Sequence, residues 1–128
     1  MIIVKTPLDK DFNYAECEEL FEENRDKIQE VRSFDEVLKT SMFYSFYIWK
    51  NAELIGCIYY TEKQGKLFVT VFAKRHHREL NLECFKESLT WFKKDIYAEA
   101  IHKTSRIGAL QCGFERIKGN LFIYRRQK

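Results

Sequence analysis

The sequence has little proline and glycine, with one proline and five glycines among 128 residues. This scarcity excludes collagen-like repeats and flexible low-complexity chains, which need far more of both residues. The chain also lacks an apolar run near the roughly 20 residues that span a bilayer. Its first seven residues are too short and too early-charged for a signal peptide, so we expect a cytoplasmic protein.

Closely spaced cysteines are missing as well. The four cysteines are Cys17, Cys57, Cys84 and Cys112. No two form a Cys-x-x-Cys pair, and each falls in an apolar stretch, as buried free thiols do. The adjacent His76 and His77 are not spaced from Cys84 as zinc ligands are. We therefore predict structural cysteines and no metal site.

Hydrophobic side chains are abundant at 45% and aromatic ones at 16%, which predicts one folded domain over residues 1–128. Charge is divided unevenly along the chain. Residues 12–36 carry nine acidic and three basic side chains, net −6, and residues 37–128 carry 17 basic and eight acidic ones, net +9. The basic part could attract an anionic cofactor or an acidic partner, or could be a solvated face. Nucleic acid is disfavoured, because no recognised binding motif accompanies the bases.

Two helices are predicted before the main strands. The first runs over residues 13–31, with Asn13 and Glu16 in the form of a capping box. Its apolar face consists of Cys17, Leu20, Phe21, Ile28 and Val31. The acidic residues occupy the opposite, solvated face. Ser33 and Glu36 form a second capping box, which opens a shorter helix that ends near Thr40.

Three consecutive antiparallel strands are predicted at 43–50, 53–61 and 66–72, separated by short turns. The third is nearly unbroken in apolar, β-branched and aromatic residues, which favours a central strand covered on both faces. A basic turn follows, and then a helix whose buried face is Leu82, Phe85, Leu89 and Phe92. The strand at 95–101 should lie beside the third strand.

The C-terminal part continues with a short helix that ends at Gly113 and a hairpin around Gly119. The predicted order is β-α-α-β-β-β-α-β-α-β-β. This order indicates an α+β fold with a central mixed, mostly antiparallel sheet flanked by helices.

The succession of strand, basic loop, helix, strand and the pair Gly113-Phe114 resembles the GNAT family of N-acetyltransferases. The chain also resembles the short GNAT-like proteins of bacteriophages. The resemblance implies acetyl-CoA as cosubstrate and a phosphate-binding loop at a helix N-terminus. In the family pattern this loop carries an Arg or Gln followed by glycines. Those places fall here on His76, Glu79 and Asn81, so the loop motif is degenerate.

The resemblance also implies a slot for the pantetheine arm between residues 67–72 and 96–101. Main-chain contacts to the cofactor are implied at Val71, Phe72 and Ala73. Donors for the pyrophosphate are implied at Lys74, Arg75, His76, His77, Arg78 and at the main chain of Leu80, Asn81 and Leu82. The alternative interpretation of this basic segment is a solvated loop.

Acid and base candidates are few. The family's tyrosine acid falls on Ala109, and its asparagine at the start of the last helix falls on His102. Glu99 is the carboxylate of the strand beside the slot, and His102 follows that strand, so these two are the catalytic candidates. Each also has a structural interpretation, Glu99 as the polar face of a strand and His102 as a helix cap.

Two functions follow. The first is an acetyl-CoA-dependent N-acyltransferase that acts on a small-molecule or protein amine. The second is a GNAT-shaped protein that has lost catalysis and acts as a binding or virion-associated component, located in the cytoplasm of the host cell or, if a phage encodes it, in the virion. A homodimer or a virion partner is compatible with either function.

Overall fold

A seven-stranded sheet runs through the centre of the computed structural model, which describes residues 2–41 and 44–126. The strands are β1 (Ile2–Lys5), β2 (Ser45–Lys50), β3 (Glu53–Lys63), β4 (Lys66–Ala73), β5 (Ile96–Glu99), β6 (Glu115–Lys118) and β7 (Leu121–Tyr124). Their spatial order is β1-β2-β3-β4-β5-β7-β6. Only β4 and β5 pair in parallel among these described strands, so the sheet is mixed and mostly antiparallel, and the predicted α+β class is confirmed.

Four helices flank the sheet. They are α1 (Tyr14–Glu23), α2 (Phe34–Ser41), α3 (Arg78–Leu89) and α4 (Lys103–Gln111). Side chains of β3 alternate between the two faces, so Cys57 and Tyr59 join the core under α1 and α2. Ile58 and Tyr60 join the core on the other face, under α3 and α4. The sheet is therefore the middle of three layers.

β4 is the central strand that its composition predicts. It pairs with β3 along its length and with β5 on its other side, and three predicted neighbour relations are thereby confirmed. Residue 43 of the predicted strand 43–50 lies outside the described residues. The β2–β3 and β3–β4 connections are tight, with positive φ at Asn51, Ala52, Gln64 and Gly65, as two-residue hairpin loops require.

The capping box at Ser33 is confirmed, and Asn13 is the N-cap of α1, with Glu16 accepting from the Asn13 side-chain N–H (3.2 Å) instead of its backbone N–H. The Asn13 side chain accepts from the backbone N–H of Glu16 (3.1 Å), and Ser33 Oγ accepts from that of Glu36 (3.2 Å). Glu36 also accepts in return from the backbone N–H of Ser33 (3.3 Å). These bonds fix where α1 and α2 begin.

The single helix predicted over residues 13–31 is wrong in extent. α1 ends at Glu23, where the buried Asn24 side chain donates to the Leu20 carbonyl (2.9 Å), and a 3-10 turn follows at Arg25–Lys27. The chain then runs irregularly, and Val31 is 90% exposed instead of belonging to an apolar helical face. Arg25 stabilises this course by donating to the carbonyls of residues 30 and 32.

β5 is shorter than the predicted strand 95–101 because it ends at Glu99. The backbone N–H of Ala100 donates to the Asn120 carbonyl (2.8 Å), and His102 is already the N-cap of α4. None of the helices within 2–41 and 44–126 is long and apolar enough to cross a bilayer.

Candidate active site

A cleft of about 410 Å³ opens between β4 and β5. The two strands pair only at Leu67 with Ile96 and at Phe68 with Tyr97. Beyond these pairs they part, and the cleft is lined from both sides of the sheet: by the segment after α1 on one side and by α3 and α4 on the other. A ligand could therefore reach through the sheet at this point.

The wall on the α3 and α4 side is mainly apolar. It includes Val69, Val71, Leu82, Phe85 and Ala109. Ala109 occupies the place where the GNAT resemblance puts a tyrosine, and it is buried with only a methyl group to offer. This position supplies no acid.

The N-terminus of α3 faces the cleft without a side-chain cap from the described residues, in contrast to α1 and α4. A 3-10 turn at Arg75–His77 precedes the helix, and the exposed Arg75 and Arg78 both line the cleft. The first backbone N–H groups of a helix have no intrahelical acceptor, and the helix dipole makes this end positive. Glu79 also lines the cleft and adds one negative charge.

Seven of the eleven cofactor-binding residues predicted from sequence line this cleft. They are Val71, Phe72, Ala73, Arg75, Arg78, Asn81 and Leu82. The other four lie apart from its lining residues: His76 is exposed, His77 Nε2 lies 3.3 Å from Glu53, Lys74 contacts Glu53 at 3.5 Å, and Leu80 packs against the core.

Asn81 is buried where the family pattern has a glycine or alanine. Its side-chain N–H donates to the Phe72 carbonyl of β4 (3.3 Å), and its Oδ1 has no partner within the described part of the chain. The Asn81 side chain lies directly against Gly56 of β3, where an added Cβ would stand 2.1 Å from Oδ1. Sequence reasoning missed Gly56, although a glycine inside a strand often marks such a close approach.

Glu99 lies at the end of β5 and lines the cleft. Its neighbour Ala98 packs into the core under α3, so the Glu99 side chain points to the face that carries α1 and α2. Its Oε1 lies 3.7 Å from Lys63 Nζ, and its side chain is 37% exposed. A carboxylate in this position could accept a proton from an amine at the mouth of the cleft.

His102 is not among the lining residues of the cleft. Its Nδ1 accepts from the backbone N–H of Thr104 (3.4 Å) and lies 2.7 Å from the Thr104 hydroxyl. The ring thus caps α4, the structural alternative that the sequence left open. Thr104 and Ser105, which the sequence did not single out, do line the cleft.

Asn24, Lys27 and Ile28 form the wall on the α1 side, and sequence reasoning missed all three. They follow α1, far along the chain from β4 and β5, so no local pattern relates them to the cleft. The segment is held by Glu30, whose side chain is 3% exposed.

Glu30 accepts two bonds from the Arg32 guanidinium (both 2.9 Å) and one from the Tyr59 hydroxyl (2.8 Å). Burial acts to raise the pKa of the Glu30 carboxyl, but these bonds outweigh it and hold the pKa below its usual range. The carboxylate therefore stays charged and anchors the segment to β3.

The thiols are free, and none of the four lines the cleft. Burial raises the pKa of Cys17 to about 12 and raises that of Cys57 as well. A protonated, buried thiol is a poor nucleophile. Within the described residues, no three His, Cys, Asp or Glu side chains are grouped so that they could hold a metal ion.

Solved structures of N-acetyltransferases share this fold. An N-acetyltransferase of Staphylococcus aureus Mu50 superimposes with a TM-score of 0.73 at 13% identity, over 98% of this chain and 97% of that one. Arabidopsis thaliana Naa50 in complex with a CoA-peptide bisubstrate analogue gives 0.67 at 14% identity, over 95% of each chain. Bacillus subtilis YlbP in complex with coenzyme A gives 0.62 at 12% identity, over 98% of this chain and 97% of that one.

No family model matches the sequence, and no curated protein matches it. The likeness is therefore one of fold, and the GNAT fold that the resemblance implied is confirmed.

Proposed function

We propose that the protein is an acyl-CoA-dependent N-acyltransferase that transfers an acyl group from acetyl-CoA directly to an amine. The observation that carries the proposal is the cleft between β4 and β5. It is lined by Arg75, Arg78 and the first turn of α3, and by the Glu99 carboxylate, which points to the opposite face of the sheet. In such a cleft an anionic cosubstrate would bind near the arginines, and an amine acceptor would bind near Glu99.

The cleft residues suit coenzyme A in two respects. Beyond Phe68 no strand within the described residues pairs with the edge of β4 that faces β5, so backbone groups on that edge of residues 69–73 are available to the amides of the pantetheine arm. Arg75 and Arg78, with the first N–H groups of α3, suit the pyrophosphate. Glu79 opposes that binding, so the loop depends on arginine charge instead of the close backbone approach that glycines allow.

The chemistry that acetyl-CoA supplies is an activated thioester. Glu99 would accept the proton of the acceptor ammonium, because its carboxylate lines the cleft on the α1 side. Thr104 and Ser105 lie in the first turn of α4, where hydroxyls and the positive helix end would stabilise the departing thiolate. Ala109 leaves that thiolate without a tyrosine donor. The acceptor is a small-molecule or protein amine.

The second candidate is a GNAT-fold protein without catalysis that serves as a phage-encoded binding or virion component. Glu79 and Ala109 favour it. In the GNAT pattern, Glu79 stands in place of a loop glycine and Ala109 in place of the tyrosine acid. This candidate binds coenzyme A weakly or not at all.

Isothermal titration with coenzyme A and acetyl-CoA separates the two candidates. We expect binding by the wild type and a loss of at least tenfold in the double variant Arg75→Ala/Arg78→Ala, because a bond to a charged group contributes about 1.5–3 kcal/mol. The matched control is Lys93→Ala/Lys94→Ala, which removes the same charge from exposed positions outside the cleft lining. Equal affinity in the two double variants would refute the arginine site, and no wild-type binding at millimolar ligand would favour the second candidate.

A further inference from the structure

An aliphatic ammonium of the chain itself lies beside Glu99, which lines the cleft. Lys63, the last residue of β3, extends over the ring of Phe68, with Nζ 5.2 Å from the ring centroid. The same Nζ lies 3.7 Å from Oε1 of Glu99. A carboxylate and an aromatic ring face are groups that bind a primary ammonium. Here Glu99 and Phe68 bind the ammonium of Lys63 in this way.

This position borders the cleft at the point where β4 and β5 begin to part, and Lys63, Phe68 and Tyr97 themselves lie outside its lining. Phe68 and Tyr97 form the last pair of β4 and β5 before the strands part, and Glu99 lies two residues beyond that pair. The Lys63 side chain is 39% exposed, so its ion pair with Glu99 is in contact with solvent. An exposed ion pair of this kind contributes little free energy and does not lock the side chain in one place.

We propose that Lys63 is an acetylation site that the protein modifies by itself, in an inference that rests on the proposed acyl transfer. Glu99 accepts a proton from the Lys63 ammonium, and the neutral Nζ attacks the thioester carbonyl of bound acetyl-CoA. The N–C amide bond forms, the C–S bond breaks, and coenzyme A leaves as the thiolate and takes up a proton. The product is an acetamide on Lys63, without its positive charge.

Other lysines are less well placed. Lys94 also pairs with a carboxylate, Glu62, at 2.8 Å, but neither residue lines the cleft. Lys27 does line the cleft, yet within the described part of the chain it has no carboxylate within 4 Å to accept a proton. Lys63 does not line the cleft itself, but it is the one of these three whose carboxylate partner, Glu99, does.

Acetylation has a consequence for the site. Loss of the Lys63 charge releases Glu99 from its ion pair and leaves an uncharged amide against Phe68. The carboxylate is then open to the ammonium of an external acceptor, which otherwise competes with Lys63 for it. Self-acetylation would thus free Glu99, which Lys63 otherwise occupies, for the external amine.

The test is incubation of the whole protein with acetyl-CoA, followed by proteolysis and mass spectrometry of each lysine peptide. We expect one acetyl group on Lys63, at a rate independent of protein concentration. Lys63→Arg should abolish that modification, and Glu99→Gln should slow it about a hundredfold, the scale of one acid–base group. Lys94→Arg, a change of the same kind in the other Lys–Glu pair, should leave the modification of Lys63 unchanged.

Titration of each variant with coenzyme A distinguishes a failure of the self-acetylation from a failure of the proposed function. Intact binding together with an unmodified Lys63, or with acetylation first at Lys27 or Lys94, would overturn the self-acetylation while leaving the proposed function standing. A rate equal to that of urea-unfolded protein would overturn it too, because the site would then contribute nothing. Absence of binding would overturn both proposals.

Discussion

Single residues decide how the α1 side of the cleft is held, and Glu30 is the clearest case. It is a buried carboxylate that receives the Arg32 guanidinium and the Tyr59 hydroxyl, and it connects the irregular segment after α1 to the sheet. Removal of one partner from a buried charged pair is costly because the other charge loses its compensation.

We expect Glu30→Gln to lower the free energy of unfolding by about 2–3 kcal/mol at neutral pH, since the amide cannot replace both charged bonds to Arg32. Urea denaturation measures this loss. The matched control is Glu22→Gln, which breaks an exposed pair with Arg25 (2.9 Å) and should cost less than about 0.5 kcal/mol. Equal losses in the two variants would contradict a special role for Glu30.

The stability difference between the wild type and Glu30→Gln depends on pH in a direction that follows from the pKa of Glu30. The folded-state pKa of Glu30 is lowered, so its contribution to stability is fully present above the unfolded pKa, which is about 4.3. It is lost as the pH falls through the lower folded pKa. The gap between wild type and Glu30→Gln should therefore be constant near neutrality and shrink in acid, below about pH 4.

Gly56 and Asn81 form a second decisive contact at this scale. We expect Gly56→Ala to destabilise the protein by about 1–3 kcal/mol, because the new Cβ would overlap the Asn81 amide. The control is Gly108→Ala, where the added Cβ would meet Leu82 at an ordinary 3.6 Å and should be neutral or stabilising in a helix.

A double-mutant cycle tests the cause of that loss. If the overlap is responsible, Asn81→Ala should recover much of the stability of Gly56→Ala, with a coupling of about 0.5–3 kcal/mol. Additive losses, measured by urea denaturation of the four proteins, would show that Gly56 is needed for another reason.

Elements differ in how well the sequence predicts them, and the difference has a local cause. The starts of α1 and α2 were predictable because a cap is a short-range pattern, Asn13 with Glu16 and Ser33 with Glu36. The end of α1 was not, because it depends on the Asn24 side chain and on Arg25 bonds to carbonyls five and seven residues away. The helical spacing of apolar residues continues to Val31 and therefore suggested a longer helix. In the structure, these hydrogen bonds stabilise an irregular segment there instead.

The first turn of α3 contains opposing requirements at Glu79. An acidic side chain there stabilises the helix by interacting with its dipole, but it repels a bound phosphate. We expect Glu79→Gln to raise the affinity for coenzyme A about two- to fivefold at low salt while slightly lowering the melting temperature. Glu83→Gln, one turn further along α3 and outside the cleft lining, should change affinity less. A weaker affinity in Glu79→Gln would contradict phosphate binding at this turn.

At the scale of the whole molecule, the sequence predicted one wall of the cleft and missed the other. Val71, Phe72 and Ala73 were named because the GNAT resemblance implies cofactor contacts at the end of β4, and the central place of that strand follows from its composition. Lys27 and Ile28 were not found, because only the tertiary packing of the segment after α1 brings them to the cleft. His102 was an acid–base candidate by position along the chain, and the structure gives its ring to the cap of α4.

The uneven charge of the chain bears on the same cleft. The strongly acidic part, residues 12–36, includes α1 and the first turn of α2. Arg75 and Arg78 belong to the basic remainder and lie in the 3-10 turn before α3 and at the start of α3. These guanidinium groups are exposed, so their attraction for a phosphate is screened by salt, over about 10 Å at 0.1 M and about 3 Å at 1 M. Glycine-based loops hold phosphate through backbone N–H groups at close approach, and they depend less on side-chain charge.

We therefore expect the affinity for coenzyme A to fall by at least about tenfold between 0.05 and 0.5 M NaCl, in titrations at fixed pH. Pantetheine, which lacks the phosphates but keeps the arm that enters the apolar cleft, is the matched ligand and should bind with little salt dependence. The double variant Arg75→Ala/Arg78→Ala should lose most of the salt dependence along with its affinity. Salt-independent binding of coenzyme A by the wild type would instead show that the N–H groups of α3 hold the pyrophosphate without the arginines.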